Sequence, residues 1–367
     1  MKKVVWAICA LVIAISLPLI AFGCAEPAPS PTVTPAPAPA PAPAPQPSPT
    51  PAPPPVEVIE LKFATHVPPV ANLVQNWEAW GKKIEGLTDG RIKVTMYAGA
   101  SLVKMPDQYP ALLDGICDIT YVHASDIPEQ VLETVFNLPG LGWDASYSLD
   151  VIRQVEKEFP QIAEGRSKVK TLWLQGSLFE FPQFAKEEVR VPDDIKGMKI
   201  HCQASLNPFI QACGAVPLGL DPPDWYMSLE RGMVDGGIFA WGALAVHKLP
   251  EVTKYHLNLP VKTSLSSVIM NKDKWNSLPP DIQEIITGTL EETEKFDSDS
   301  IISFEQEVYN QLVAAEDHTV VEPTPDEVAL WIEKAPPAHQ KWIDDMAAKG
   351  LPGQAIYDKL IEVIKRY

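Results

Sequence analysis

Three of the seven histidines stand where an alternating apolar run ends: His66 after Leu61-Lys62-Phe63-Ala64, His123 after Asp118–Val122, and His201 after Lys199-Ile200. An imidazole at a strand end can donate, accept or titrate near neutral pH, so three such positions point to a cleft that receives a ligand. None of the seven pairs with a cysteine or aspartate at metal-ligand spacing. Of the five cysteines, Cys117, Cys202 and Cys213 lie in the body, without a CxxC pair. They read as buried thiols, with a Cys202–Cys213 bridge possible but unforced. HExxH, GxSxG and phosphate-loop patterns are absent. Gly140-Leu141-Gly142-Trp143-Asp144-Ala145 fits a loose GxGxxA pattern, but it follows Pro139 and carries a bulky Trp143 where a pyrophosphate would approach. The paired carboxylates Asp193-Asp194, Asp344-Asp345 and Glu291-Glu292 read as solvated turn and helix positions. No catalytic residue, metal or cofactor is therefore expected. A net charge of −17 with no basic run longer than two residues excludes a nucleic-acid partner.

The elements that carry these histidines alternate in period. Ile59, Leu61 and Phe63 recur every second residue, as in a strand. Leu73, Val74, Trp77, Trp80, Ile84 and Leu87 line one face of a helix closed by Asp89-Gly90, and Ile92, Val94 and Met96 alternate again. Strand–helix–strand order predicts βαβ units and a largely parallel sheet. Lys170–Leu174 and Lys199–Cys202 read as further strands. Asp281–Ala315 holds no proline and repeats Ile282, Ile285, Ile286, Leu290, Phe296, Phe304, Val308 and Leu312 at helical spacing. At 1.5 Å per residue it would run about 50 Å, long enough to cross two domains unless it kinks near Gly288. Residues 325–367 read as two or three short amphipathic helices.

The N-terminus has a different character. Met1-Lys2-Lys3, the apolar Val4–Phe22 and Gly23-Cys24 read as a secretory signal of lipoprotein type over 1–23, with Cys24 as the lipidated first mature residue. An uncleaved membrane helix is the rival reading. Residues 24–56 form a Pro/Ala-rich tether: 15 prolines fall within 27–55, a composition that favours polyproline II. Either way the body is expected outside the cytoplasmic membrane and held to it.

Eight stretches, in order, resemble the solute-binding proteins of tripartite ATP-independent periplasmic (TRAP) transporters, the DctP-like C4-dicarboxylate-binding family. They are Leu61–Ala64 with His66, Leu112–Asp118, Phe136-Asn137-Leu138-Pro139, Val191–Ile200, Gly214-Ala215-Val216-Pro217, Val234-Asp235-Gly236, Met270–Pro279 and Lys349–Gly353. The resemblance implies an α/β, two-domain periplasmic-binding-protein fold with an interdomain cleft and a long helix spanning both domains. Domain I would take 57–178 plus 268–305, and domain II 179–267 plus 306–367. It also implies two integral-membrane partners, a small and a large subunit, and a small-molecule solute, usually an organic acid.

In that family an arginine directly after the "GlKi" segment grips the solute carboxylate; His201 stands there in this chain. Phe181 occupies the place of a second arginine, and Phe239 lies near a frequent asparagine. The expected site is accordingly His66, Tyr121, His123, Trp173, Phe181, His201, Gln203, Phe239 and Trp241, and the solute is expected to be more apolar or aromatic than a C4-dicarboxylate. One carboxylate could be held by protonated His201 with His66 or His123. Two other functions compete: a receptor of ATP-binding-cassette type, against which the long helix argues, or of sensory type, and a surface-anchored hydrolase, against which the missing motifs argue.

Overall fold

The computed structural model of the protein describes residues 58–176 and 178–367. The signal segment, Cys24 and the Pro/Ala tether lie outside the described residues. Among the described residues no helix is long and apolar enough to cross a membrane.

Twelve strands are present among the described residues: β1 (Ile59–Ala64), β2 (Ile92–Tyr97), β3 (Ile119–His123), β4 (Val169–Gln175), β5 (Phe179–Phe184), β6 (Lys199–His201), β7 (Val216–Leu218), β8 (Gly236–Phe239), β9 (Tyr255–Leu257), β10 (Lys262–Thr263), β11 (Ser266–Asn271) and β12 (Thr319–Val321). They form two sheets. The first has the order β2-β1-β3-β11-β4; the second has the order β12-β9-β5-β8-β6-β7, with β10 paired to β5. β2, β1 and β3 are parallel, as strand–helix–strand order requires, with Leu61 opposite Val94. The sheet as a whole is mixed, not largely parallel. β11 returns from the second sheet and inserts antiparallel between β3 and β4, so the order of elements along residues 59–123 did not foretell it. β5 runs antiparallel to β8, β9 and β10, while β6 is parallel to both of its neighbours.

Helix Asn72–Leu87 buries Val74, Trp77, Trp80 and Ile84 on the first sheet, against Leu61, Phe63, Val268 and Met270. That face is the 3–4 residue stripe seen in the sequence. The long helix occupies Pro280–Ala314, 35 residues, and passes Gly288 as one element. It is about 52 Å long. It begins at Pro280, where a missing N–H costs nothing. Its first half packs on helix Asn72–Leu87 and β4, and its second half on helix Trp241–Val246 and β12. Asp297 anchors the middle: its Oδ2 accepts from Trp77 Nε1 at 3.2 Å and Trp173 Nε1 at 3.0 Å, and also from the Gln175 amide.

Three helices close the chain, Pro325–Ile332, Pro336–Ala348 and Gly353–Ile364. Thr324 and Glu327 cap the first reciprocally: Thr324 Oγ1 accepts from Glu327 N at 3.3 Å, and the Glu327 carboxylate accepts from Thr324 N at 2.7 Å. The last packs on helix Ser148–Glu158, where Ile356, Leu360 and Val363 meet Val151, Ile152 and Val155.

Two short segments lead from one sheet to the other, from β4 to β5 and from β10 to β11, and their described residues lie side by side. Thr263 Oγ1 donates to the carbonyls of Gly176 (2.8 Å) and Leu178 (3.0 Å), and Ser264 N–H donates to Leu178 O at 2.8 Å.

Candidate functional site

A cavity of about 520 Å³ lies where strands of the two sheets end, walled by residues following β1, β3, β6 and β7 and by the long helix. Ligands of open α/β sheets are held at such strand ends because the loops there are free to vary. His66, Tyr121, His123, His201, Gln203 and Phe239 are on its wall. No arginine or lysine is on it among the described residues.

One side is aromatic. His201, last residue of β6, stacks on Phe239, last residue of β8, with ring centroids 5.1 Å apart and planes 27° apart. Trp225 meets both rings, at 5.4 Å and 5.0 Å, and packs edge-on to His247 at 4.8 Å. The Phe239 ring folds back over Gly237, where an added Cβ would sit 2.3 Å from it and 3.1 Å from His201 Cβ. Glycine is therefore needed at Gly237 for the wall to form. His201 Nδ1 lies 3.2 Å from the Leu218 carbonyl. A carbonyl only accepts, so Nδ1 carries the proton and Nε2 of the neutral ring is an acceptor.

The opposite side has the complementary pattern. Tyr121 donates to Ser266 Oγ at 3.0 Å, and Ser266 Oγ lies 2.8 Å from His123 Nδ1. The serine proton thus goes to His123 Nδ1, which leaves the proton of that ring on Nε2. With its amide nitrogen turned toward His66, Gln108 donates to His66 Nδ1 at 3.1 Å and to Tyr121 O at 2.9 Å, while its oxygen accepts from His66 N at 2.6 Å. His66 then also bears its proton on Nε2. Two neutral imidazole donors on one side face an aromatic acceptor wall on the other.

Burial sets the charge of these rings. It lowers His66 and His201, with the charges of Asp126 and Glu180 respectively opposing, and it pushes His123 down to about 3, helped by His66 and Lys262. All three are neutral at pH 7. A ring that has lost its water is costly to charge without a close anion, so the expected grip of a carboxylate by a protonated His201 depends on the solute itself supplying that charge.

Four carboxyls, Asp126, Glu180, Asp221 and Glu305, share the rest of the polar lining with neutral groups such as Asn72, Ser125 and Ser205. Glu180 on β5 is paired with Lys262 of β10 at 3.2 Å, and the Lys262 side chain is completely buried behind it. Lys262 Nζ also donates to Gln203 Oε1 at 3.0 Å and Ser264 Oγ at 2.8 Å. Asp126, after β3, is raised by burial, with His66 opposing. Glu305 reaches the wall from the long helix.

Three expected residues stand elsewhere. Trp173 is 1% exposed in the core of the first sheet, its Nε1 spent on Asp297 and its ring against Trp80. Phe181 and Trp241 pack together at 5.0 Å and line a second cavity of about 540 Å³ with Trp143 and Tyr309. Trp241 is held there by Tyr309 of the long helix, 5.4 Å away. Trp143 of the GxGxxA stretch is buried between Phe136 and Phe179. Cys117, Cys202 and Cys213 are buried free thiols; burial raises Cys202 and Cys213 to about 12. Sequence reasoning missed Trp225, His247, Asp126, Glu180, Lys262 and Glu305. Only for Trp225 was there a signal, the Asp221-Pro222-Pro223-Asp224 turn that delivers it past β7.

A family model described as bacterial extracellular solute-binding protein, family 7, matches residues 63–345. The C4-dicarboxylate-binding periplasmic protein DctP of Rhodobacter capsulatus is 26% identical over 304 residues, 80% of this chain and 89% of that one. A TRAP solute-binding protein from a marine metagenome, specific for aromatic acid ligands and holding 3-hydroxybenzoate, superposes with a TM-score of 0.77 at 22% identity, covering 85% of this chain and 99% of that one. Another from Rhodoferax ferrireducens, with copurified benzoate, gives 0.75 at 21% identity over 84% and 98%. The likeness to these two solved structures is one of fold. With the family model matching most of the described body, the chain belongs to the bacterial extracellular solute-binding proteins of family 7.

Proposed function

We propose that the protein captures a small organic acid with an apolar or aromatic body and delivers it to the small and large membrane subunits of a TRAP transporter, without chemical turnover. The observation that carries this reading is the cavity wall: His201, Phe239 and Trp225 form a continuous ring surface, and no arginine or lysine stands on the wall to grip a second carboxylate. A dicarboxylate moved there from water would lose hydration with no guanidinium fork in return, which costs several kcal/mol. A single carboxylate can still take the neutral donors of His66 and His123. Two structural relatives that hold 3-hydroxybenzoate and benzoate support the aromatic choice, while another holds succinate.

The solute-contacting set proposed is His66, Tyr121, His123, His201, Gln203 and Phe239, joined by Trp225. Domain I (57–178 plus 268–305) and domain II (179–267 plus 306–367) would close on the solute by bending the crossing segments. Export by residues 1–23, lipidation of Cys24 and a Pro/Ala tether at the outer face of the cytoplasmic membrane complete the proposal. Mass spectrometry of small molecules released from the purified protein, followed by calorimetry, tests it. An aromatic acid should bind at least tenfold more tightly than succinate or malate; a C4-dicarboxylate bound as tightly, and unaffected by His201→Ala, would refute it.

A further inference from the structure

Glu305 has an unusual position on the long helix. It lies on the wall common to the main cavity and the second cavity behind Phe181 and Trp241. Its Oε1 accepts from the backbone N–H of Gly242 at 2.9 Å. That approach requires glycine, because a Cβ on Gly242 would lie 2.6 Å from the same oxygen. Its Oε2 is buried and has no hydrogen-bond partner. A buried polar atom left without a partner costs about 1–3 kcal/mol, and such atoms in native folds have a reason to persist. Here one carboxyl oxygen is anchored by the backbone and the other is buried without a partner, on a side chain that stands on the wall of a cavity with no arginine or lysine among its described lining residues.

We propose that Glu305 is a solute-recognition residue that meets the captured acid as a neutral carboxylic acid, its Oε2–H donating to a carboxylate or hydroxyl oxygen of the solute. The inference rests on the organic-acid reading above. It gives the site the donor that the missing arginine would have supplied, without burying a second full charge. It also links capture to protons: only the protonated form of Glu305 can bind the acid.

Burial is the dominant influence on this carboxyl and pushes it up to about 8, with the backbone N–H groups of Gly242 and Trp241 opposing and the Glu180 charge assisting. The histidines, the thiol and the phenol on the cavity wall are all displaced away from the range between pH 7 and 9. His66, His123, His201 and His247 are lowered from 6.5, Cys202 is raised to about 12, and burial raises the Tyr121 phenol further. Glu180 is held against Lys262. Asp126 and Asp221 are the remaining acids on the wall; burial raises Asp126, and each needs its own control.

The test is calorimetry of the purified protein with 3-hydroxybenzoate and benzoate at pH 7 and pH 9. The competent fraction falls about tenfold over that span for a group titrating near 8, so affinity should fall about tenfold. In Glu305→Gln the carboxamide still donates but no longer titrates, and affinity should be the same at both pH values. Asp126→Asn and Asp221→Asn should each keep the tenfold fall. In the wild type alone, the dependence of binding heat on buffer at pH 8 should show roughly half a proton taken up per solute. Wild-type binding of either acid with no fall and no proton uptake overturns the role of Glu305 and leaves the organic-acid reading intact. An equal fall in Glu305→Gln overturns it too. Affinity for either acid that rises with pH overturns the role of Glu305 as well, whereas failure of every acid, succinate and malate included, to bind at pH 7 refutes both.

Discussion

Lys262→Met removes the only cation in contact with the buried Glu180 carboxylate. In the native protein Lys262 has no exposed side-chain surface and Glu180 is 9% exposed, with Nζ and Oε1 3.2 Å apart. The lysine also holds Gln203 Oε1 at 3.0 Å and Ser264 Oγ at 2.8 Å, while Ser264 Oγ donates to Glu180 at 2.5 Å. Methionine nearly matches the lysine stem in volume, so little cavity is left and the loss is electrostatic. An uncompensated buried charge costs about 3–5 kcal/mol when its partner is removed. Ser264 and Gln203 still face Glu180, which places the expectation near the lower end, about 3 kcal/mol. Removing both charges in Glu180→Gln/Lys262→Met should recover about 2 kcal/mol of that, because no ion is left stranded. Urea unfolding of the wild type, both single variants and the double closes the cycle. A loss below 1 kcal/mol in Lys262→Met, or a double variant as unstable as the single, would refute the reasoning. The same variant frees Gln203 on the cavity wall, so its affinity for an aromatic acid should drop alongside its stability.

Phe239→Leu keeps an apolar side chain but removes the ring stacked on His201; affinity for 3-hydroxybenzoate should fall by about 1 kcal/mol, roughly fivefold, in calorimetry, and an unchanged affinity would remove Phe239 from the solute wall. Gly237→Ala places a Cβ 2.3 Å from the Phe239 ring; it should lower stability by about 1–3 kcal/mol through overpacking, and a thermal midpoint equal to wild type would contradict that. His256 is fully buried between Gln183 Oε1 (2.6 Å) and His318 Nδ1 (3.0 Å), and burial together with His318 pushes it down to about 3. The unfolded chain therefore binds a proton below about pH 6.5 that the folded chain refuses, and stability should decline by about 2 kcal/mol from pH 6.5 to 5. His256→Gln should flatten that decline in urea midpoints measured across the range, and an equal decline in the variant would clear His256 of responsibility.

The strand-end histidines were legible because strand alternation stops where the side chain is released to the cavity: Ala64 ends β1 before His66, and His123 and His201 close β3 and β6. The long helix was legible from its apolar repeat and its lack of proline. What was not legible depended on pairing between distant segments. β11 takes its direction from having come out of the second sheet, which nothing in its own residues records. Glu305 is one of many acidic residues on a helix, and only the packing of helix Trp241–Val246 against it turns that position toward the cavity. Lys262 is a charged residue that would ordinarily be read as surface; a buried lysine needs Glu180, 82 positions earlier in the sequence, to be tolerable. Trp173, Phe181 and Trp241 were close in sequence to cavity-lining residues, yet their rings are consumed by Asp297, by each other and by Tyr309. Large aromatics are more often core than site.

The two neighbouring passages between the sheets, laced together by Thr263 and Ser264, also have a mechanical meaning. A single extended strand between two bodies is a swivel: the bodies can twist, tilt and slide about it. Two strands stitched edge to edge act as one ribbon, which bends readily across its thin dimension and resists twisting and in-plane shear. The long helix adds a third tie, because it packs on both bodies through side chains that would have to slip past one another for any lateral offset. If the two lobes close as proposed, bending across the ribbon is the freedom these ties oppose least. The path of closure would then be a property of the ribbon and not of whatever occupies the cavity, and solutes of different shape would be met by the same approaching wall at different stopping points.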